Sequence, residues 1–494
     1  GGARLDRRSG SGAGAVSMAE ANSGPAPEPR PPLSLGLSLL PIIALFGAIG
    51  ISMATVGTGG GALLLSILFA ATIAGLVARK AGAGWQEIQQ ETGRQIADAL
   101  PAILILLTIG ALIGSWMFSG TIPMMVVLGI DLIDPRFMVL TAFVATAVMS
   151  LISGTSWGSA GTIGVALMGA AQAMGLPLAP VAGAVVSGAY FGDKLSPLSD
   201  MTNIAAIGAG ADLYDHIRCM LWTSLPAAAI AVVTFAGLGL AGVSSGTLAS
   251  SDAALIKSEL VGVFDLGPLA ALPLLVALVG IALRKPPALV ILASSVLALI
   301  VGIFGQGFSF VGAVASFVDG FSAAANLTGA EFTPSVENLL NRGGLMSMSG
   351  TLLFIIAAFL LAAGMKVSGA IDRLLNALLG LVQSVVSLVA ATMAAGAIMV
   401  AMTSHGGVTA LIVGGLFRRP FAERDLEPQY LSRTIEDSVT VTEPLMPWTV
   451  SGVFMASTLG VPTLALAPWA VFCWLGPVTS LAAALFLARK FKAA

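Results

Sequence analysis

No Asp, Glu, Lys or Arg occurs between Arg30 and Arg79, Arg136 and Asp193, Arg373 and Arg418, or Glu443 and Arg489. These gaps run to 48, 56, 44 and 45 residues. A helix that crosses the hydrocarbon of a bilayer needs about 20 predominantly apolar residues, so each gap has room for two crossings. Only 10% of the chain is charged and 56% is hydrophobic, whereas soluble domains carry roughly 25% charged residues. A soluble surface could not be solvated so thinly. The chain therefore reads as an all-α polytopic membrane protein.

The same counts exclude other classes. A net charge of -2 with scattered Lys and Arg offers no basic stripe for nucleic acid. Cys219 and Cys473 lie in apolar stretches and form no CxxC, which argues against a disulfide framework or a metal cluster. Two histidines without HExxH or a nucleophile elbow argue against a membrane hydrolase. Neither an enzyme nor a cofactor is implied.

Residues 1–32, rich in Gly, Ser, Ala and Pro, read as a disordered tail, with Met18 as a candidate start. The apolar segment 33–55 is too long for a signal-peptide core and reads as a retained first span. Residues 33–494 are expected to form one membrane domain. Within it, 33–98 holds leading spans, 99–215 a first repeat and 216–345 connecting spans and loops. A second repeat follows at 346–460, then a final span and tail at 461–494. Hydropathy predicts further spans near 60–78, 99–118, 137–153, 217–242, 267–283, 287–304, 346–365, 384–402 and 463–488. Shorter apolar pieces, such as 121–130, 162–175 and 200–210, cannot cross alone, and 10–13 crossings are expected. Arg79, Lys80, Arg94, Arg284, Lys285, Arg489, Lys490 and Lys492 mark basic loops, whereas the loop 243–266 has only Lys257 and 305–345 only Arg342. Basic loops face the cytoplasm, which puts both termini inside.

The repeat is visible in the sequence itself. Ser119-Gly120-Thr121-Ile122 meets Ser368-Gly369-Ala370-Ile371 at an offset of 249, and at 248 Thr155, Ser156 and Gly158 meet Thr403, Ser404 and Gly406. Acidic residues follow in each half, Asp193 in the first and Asp437 in the second. The loop charges start the span at 99 inside and its counterpart at 346 outside. That is the pattern of an inverted-topology repeat with broken or re-entrant helices at the midplane, common among secondary transporters.

Four polar breaks interrupt the apolar sequence: Ser153–Thr162, Gly192–Asn203, Thr403–Gly407 and Glu436–Pro444. Glycine and proline leave backbone groups unpaired, which lipid tolerates only where the backbone is buried in protein or lines a cavity. Carbonyls, hydroxyls and carboxylates there are hard ligands suited to Na⁺ or H⁺. A carboxylate can hold a proton or a cation but not both, and this competition is the minimal chemistry of exchange. For an Asp to bind a proton near neutral pH its pKa must rise from about 3.9 to roughly 7, a differential interaction of about 4 kcal/mol, which burial can supply.

Asp193, Asp200 and Asp437 are thus the candidate charge carriers. Thr155, Ser156, Asn203, Thr403 and Ser404 are candidate neutral ligands, and Glu443 is a further carboxylate. Na⁺ would be held by this same set, with Lys194, Glu436 and His405 as accessories. Plainer roles compete. Asp193 and Lys194 suit an interfacial helix end, and Asp200 suits a cap for 201–210. Asp437 and Glu443 suit surface acids beside Arg433, and the hydroxyls suit back-bonding to the preceding turn. His405 and His216 suit structural positions.

The stretches GTSWGSAGTIG, SGAYFGDKLSPLSDMTNIAA and SRTIEDSVTVTEPLMPW resemble the NhaC-type Na⁺/H⁺ antiporters, over most of the chain from the third span onward. The resemblance implies a multi-pass antiporter of a bacterial or archaeal inner membrane, serving pH homeostasis. It also implies relatives that couple Na⁺ and H⁺ to malate and lactate. Relatives carry threonine at the Met201 position, a small hydroxyl residue at Glu443 and asparagine at Thr449; the chain departs from them beside the candidate site.

Exchange of Na⁺, Li⁺ or K⁺ for H⁺ by alternating access is the leading expectation. The alternative is a carboxylate carrier driven by Na⁺ or H⁺, with the helix N-termini after the breaks and Lys194 holding the anion. Isolated breaks in apolar sequence suit an occluded site better than an open channel. The partners expected are Na⁺, H⁺ and the lipid bilayer; a homodimer is admitted and not decided.

Overall fold

A computed structural model describes residues 33–56, 60–242, 250–283 and 285–492. The tail 1–32, Gly59 and Arg284 lie outside the described residues. The described residues form helices and turns, with no strand among them.

Two leading spans, α1 (Leu35–Thr55) and α2 (Gly60–Lys80), precede the amphipathic α3 (Trp85–Asp98). Next come α4 (Leu100–Phe118), α5 (Thr121–Leu132) and α6 (Met138–Ser153). Helix α7 runs through Ser156–Ser159, a π turn at Ala160–Gly164, and Val165–Ala173. It is followed by α8 (Leu178–Leu195), α9 (Asp200–Ala209) and α10 (Leu213–Leu240). The connecting region holds α11 (Ser250–Val263), α12 (Pro268–Ala282), α13 (Pro287–Phe304) and α14 (Phe310–Val318). The second half has α15 (Ser349–Val367), α16 (Ala370–Leu379), α17 (Val385–Thr403) and α18 (Gly406–Ala422). In α19, Pro428–Ile435 runs into a π turn at Glu436–Thr440. Last are α20 (Val450–Leu459) and, after Thr463–Leu466 and a short 3-10 turn, α21 (Val471–Lys492).

Eight described helices are long and apolar enough to cross a bilayer, or up to ten if each of two bent pairs is one span. The bent pairs are α11 with α12 (99°) and α20 with Thr463–Trp469 (86°). Large apolar side chains such as Leu65, Trp222 and Phe304 are exposed on the perimeter, where lipid rather than water is the solvent.

The two halves repeat element by element. Gly120 (φ 77°, ψ 5°) and Gly369 (φ 76°, ψ 9°), 249 residues apart, make the same left-handed turn between α4 and α5 and between α15 and α16. Beyond α5 and α16 the offset is 250. Gly154 and Ser404 (φ 68° and 58°) end α6 and α17, and the extended Thr155 and His405 (φ −147° and −141°) start α7 and α18. Ser199 and Thr449 cap α9 and α20 through their hydroxyls, and Gly210 and Gly460 stop those helices at φ 76° and 71°. Leu213 and Thr463 begin the closing segments.

This register corrects the one expected from sequence. The Thr-Ser-x-Gly match at 248 is two residues out of step: Thr155 is equivalent to His405, and Ser156 to Gly406. Asp193 is therefore equivalent to Glu443 and not to Asp437, whose counterpart is Ser187. A left-handed turn and a helix cap are set by backbone conformation, and Ala, Leu, Ser and Thr matches carry little of that information.

The halves run in opposite directions. Asp98, just before α4, and Lys366, near the end of α15, line one pocket, and Lys366 Nζ lies 2.5 Å from Glu91 Oε1 on α3. So α4 starts where α15 ends.

Within each half one helix pair is locked at close range. Helices α6 and α8 run parallel, with the Thr146 hydroxyl donating to the Val185 carbonyl (3.2 Å) and Ser150 to Ala189 (2.6 Å). Gly188 and Gly192 sit against the α6 backbone, where a Cβ would overlap it, as small residues allow between membrane helices. In the other half Gly396 of α17 faces Ser438 of α19. These are the equivalents of Thr146 and Gly188, so the same approach is made with the small residue moved to the opposite helix.

Candidate functional site

The two breaks face one cavity of about 800 Å³. At the first, Gly154 turns the chain with positive φ and abuts Leu198, so a Cβ there would overlap it. The Thr155 hydroxyl accepts from the Gly158 N–H (3.2 Å) and starts α7. At the second, Ser404 takes the left-handed turn that glycine makes at the first, and its carbonyl accepts from the Val450 N–H (3.1 Å). The Thr403 and Thr409 hydroxyls pair at 2.7 Å, which ties the end of α17 to the first turn of α18.

The returning chains place a carboxylate opposite each helix start. The Asp193 carboxylate, 4% exposed as a residue, faces the Ser156 N–H and hydroxyl and the Ser199 hydroxyl. Glu443, 6% exposed, faces the Gly406 N–H and the Ser451 N–H and hydroxyl. Ser156 and Gly406 are equivalent residues, so each carboxylate meets the first N–H of the helix that follows the break. The unpaired N–H groups and dipole of a helix N-terminus favour negative charge there. Gly406 has no Cβ because one would overlap the Glu443 carboxylate. Beneath each acid a hydroxyl fixes the backbone: Thr202 donates to the Lys194 carbonyl (3.1 Å), and Thr449 to the Glu443 carbonyl (2.6 Å).

Six of the residues singled out from sequence line this cavity: Asp193, Asp200, Glu443, Thr155, Ser156 and His405. Asp200 is exposed on it and is the first residue of α9, while Ser199 is the cap. Tyr190, Trp157 and Met201 line it as well, with Asp98 and Lys285 also in its wall. Asn203, Thr403 and Ser404 are not part of the lining. The Asn203 amide is given to the Ser199 carbonyl (2.7 Å) and the Pro197 carbonyl (3.1 Å). Among the described residues no group of three or more His, Cys, Asp or Glu could hold a metal ion. A cation at Asp193 or Glu443 would therefore complete its shell with hydroxyl, carbonyl or water oxygens.

Lys194, Asp437 and Glu436 form a second cluster behind the cavity. Lys194 Nζ and Asp437 Oδ1 make an ion pair with both side chains fully buried, which joins α8 of one half to α19 of the other. The Thr223 hydroxyl of α10 donates to Asp437 Oδ1 (3.3 Å). Arg433 Nε lies 4.0 Å from Asp437 Oδ2, and its Nη1 reaches Cys219 Sγ at 3.8 Å. Glu436 is fully buried, and its carboxylate faces the Thr440 hydroxyl and the charge of Lys194. His216 is equally buried with both ring nitrogens unpartnered. Lys194 is thus paired away from the cavity, and Asp437 and Glu443 are not surface acids.

Sequence reasoning did not single out Tyr190, Thr223 or Cys219, and treated Arg433 only as a neighbour of surface acids. Their contacts join residues more than two hundred positions apart in the chain, and no local motif marks them.

A family model described as the Na⁺/H⁺ antiporter family matches residues 188–486, which carry the end of α8, the equivalent carboxylates Asp193 and Glu443, and the buried ion pair. The chain belongs to the Na⁺/H⁺ antiporter family. It is 41% identical to an uncharacterized Na⁺/H⁺ antiporter of Haemophilus influenzae, over 83% of this chain and 87% of the relative. It is 36% identical to the Na⁺/H⁺ antiporter NhaC of Alkalihalophilus pseudofirmus, over 82% and 86%. With the malate-2H⁺/Na⁺-lactate antiporter of Bacillus subtilis it shares 32% identity over 82% and 84%. This antiporter-family chain is thus a multi-pass membrane transporter and not an enzyme.

Proposed function

We propose that the protein exchanges Na⁺ (or Li⁺ or K⁺) for H⁺ across a prokaryotic cytoplasmic membrane by alternating access, with Asp193 and Glu443 as the exchanging groups. The observation that carries this is their equivalence: two carboxylates at the same point of two oppositely running halves share one cavity. Each faces a helix-start N–H and a serine hydroxyl. Either acid can trade a proton for a cation, and hydroxyl and carbonyl oxygens from Thr155, Ser156 and Ser451 complete a hard-ligand shell. Thr403, Ser404 and Asn203 hold backbone in this reading and ligate nothing.

Asp98 and Lys285 in the cavity wall belong to the same loops as the basic residues read as cytoplasmic. The cavity is thus taken to open inward, with both termini inside. A volume of about 800 Å³ exceeds what a bare ion requires and favours a second reading, an organic acid accompanying the ions, as the name of the Bacillus relative describes. The acids Asp98, Asp193, Asp200 and Glu443 outnumber Lys285 in the lining, and Lys194 is spent on Asp437, so the inorganic cation is preferred.

Everted membrane vesicles carrying a preformed pH gradient test this. Added Na⁺ or Li⁺ should collapse the gradient without malate or lactate. Collapse only when an organic acid is present would move the assignment to the second reading.

A further inference from the structure

The cluster behind the cavity is one-sided. The residues equivalent to Arg433, Glu436, Asp437 and Lys194 at the offset of 250 are Gly183, Val186, Ser187 and Pro444. One half builds this position with small and apolar residues, packing Gly183 against Trp469 and donating the Phe472 N–H to the Ser187 hydroxyl (3.3 Å). The fold therefore does not require the three buried charges that α19 carries in the other half, nor the Lys194 of α8 that Pro444 replaces. Burying them costs stability unless every charge is met, and Glu436 is only partly met: it is 0% exposed and faces the Thr440 hydroxyl and the charge of Lys194, which is itself paired with Asp437.

Glu436 opens the π turn of α19, and Thr440, four residues on, faces its carboxylate with its hydroxyl and lines the cavity. π turns of this kind recur at functional sites. A buried ionised carboxylate met by one hydroxyl and a shared ammonium is the expensive state of such a group, and a protonated one is not. Resting on the exchange reading above, we infer that Glu436 is a second exchangeable proton site, filled and emptied past Thr440 and electrostatically coupled to the cation held at Asp193.

The coupling follows from charge. Lys194 and Arg433 are positive and Asp437 is negative, so the group of four carries one net positive charge while Glu436 holds a proton. It carries none when that proton leaves and Lys194 stands beside the new carboxylate. A cation entering at Asp193, the residue next to Lys194, is repelled by the first state and not by the second. Cation binding therefore expels the Glu436 proton, and by linkage the proton weakens cation binding equally.

Other titratable groups around the cluster come from each packed element. Helix α8 presents Asp193 and Lys194, α10 presents His216 and Cys219, and α21 presents Cys473. Asp200 starts α9, Glu443 follows the π turn, and α17 carries no titratable side chain. The α18 arginines Arg418 and Arg419 are occupied at its far end by the carbonyls of Ile207 and Gly208 and by Glu423.

The test is calorimetric Na⁺ binding to the detergent-solubilised full chain, from neutral to alkaline pH, in buffers of different ionisation enthalpy. Glu436→Gln fixes the group in its uncharged form. It should weaken Na⁺ binding about tenfold at alkaline pH and lower the number of protons released per Na⁺, while Glu436→Asp keeps the release. Unchanged affinity and proton release in a folded Glu436→Gln protein would overturn the assignment, as would a loss of release in His216→Asn but not in Glu436→Gln. Na⁺ binding that Asp193→Asn abolishes and Glu436→Gln leaves untouched overturns this inference alone. Absence of Na⁺ binding in the unmodified protein overturns the exchange reading with it.

Discussion

The two halves of the membrane domain trace one backbone path with different side chains. At the breaks they agree: a left-handed residue, an extended residue, a helix start, and an acid facing that start, Asp193 in one half and Glu443 in the other. Behind the breaks they part, with Gly183, Val186 and Ser187 of the first half set against Arg433, Glu436 and Asp437 of the second, and Lys194 of the first against Pro444 of the second. What is repeated is the geometry that positions a carboxylate. What is not repeated is the buried charge at equivalent positions, and a charge that its equivalent position does without is not there to hold the fold.

The largest effect tests whether the two acids are equivalent in chemistry as well as place. Asp193→Asn and Glu443→Gln should each lower cation-driven proton movement in everted vesicles by on the order of a hundredfold or more, a barrier of about 3 kcal/mol. Both variants should still insert, because removing a buried charge makes insertion easier. Full transport by either one would show that the equivalence stops at the backbone.

Next comes the one-sided cluster. Lys194→Met strands Asp437 with Arg433 at 4.0 Å and should destabilise the solubilised protein by about 3–5 kcal/mol, measured by thermal unfolding in detergent. Removing both partners, as Lys194→Met with Asp437→Leu, should restore most of that loss, as expected when neither charge is left uncompensated. A double variant as unstable as the single one would mean the pair is structural after all.

The smallest effect concerns the locked helix pairs. Gly188→Ser alone should cost about 1–3 kcal/mol by overpacking against α6. Adding Thr146→Gly, which reproduces the Gly396–Ser438 arrangement of the other half, should recover most of it in the same unfolding measurement. No recovery would show that the two approaches differ in more than which helix carries the small residue.

Membrane residence and the repeat were legible in the sequence because they leave signals that survive weak identity. Four long charge-free gaps have one physical explanation, and Ser119-Gly120 and Ser368-Gly369 match because a left-handed turn selects glycine. The later register was not legible. Gly154 makes its turn with glycine but Ser404 makes the same turn without it, so residue type hid the equivalence and a chance Thr-Ser match suggested another. Asp193 and Glu443 were both visible as acids in apolar surroundings, yet their relationship depended on that register. Lys194 was read as an accessory beside Asp193 or as the holder of an organic anion, whereas its partner Asp437 is 243 residues away. In the fold the Thr403 hydroxyl and the Asn203 amide meet backbone groups that the breaks leave unpaired, a use that residue type alone does not distinguish from ligation.

The parallel pairs α6–α8 and α17–α19 have a mechanical meaning. In the first, glycines and serine or threonine hydroxyls bring one backbone onto the next so closely that neither helix can slide without first giving up its bonds to the other's carbonyls. In the second, Gly396 against Ser438 sets the same close approach. Each pair then counts as a single stiff rod, and four helices supply only two moving parts. Lys194 and Asp437 join the end of one rod to the π turn of the other, so under the proposed exchange any movement of the rods past each other must break or carry this fastener.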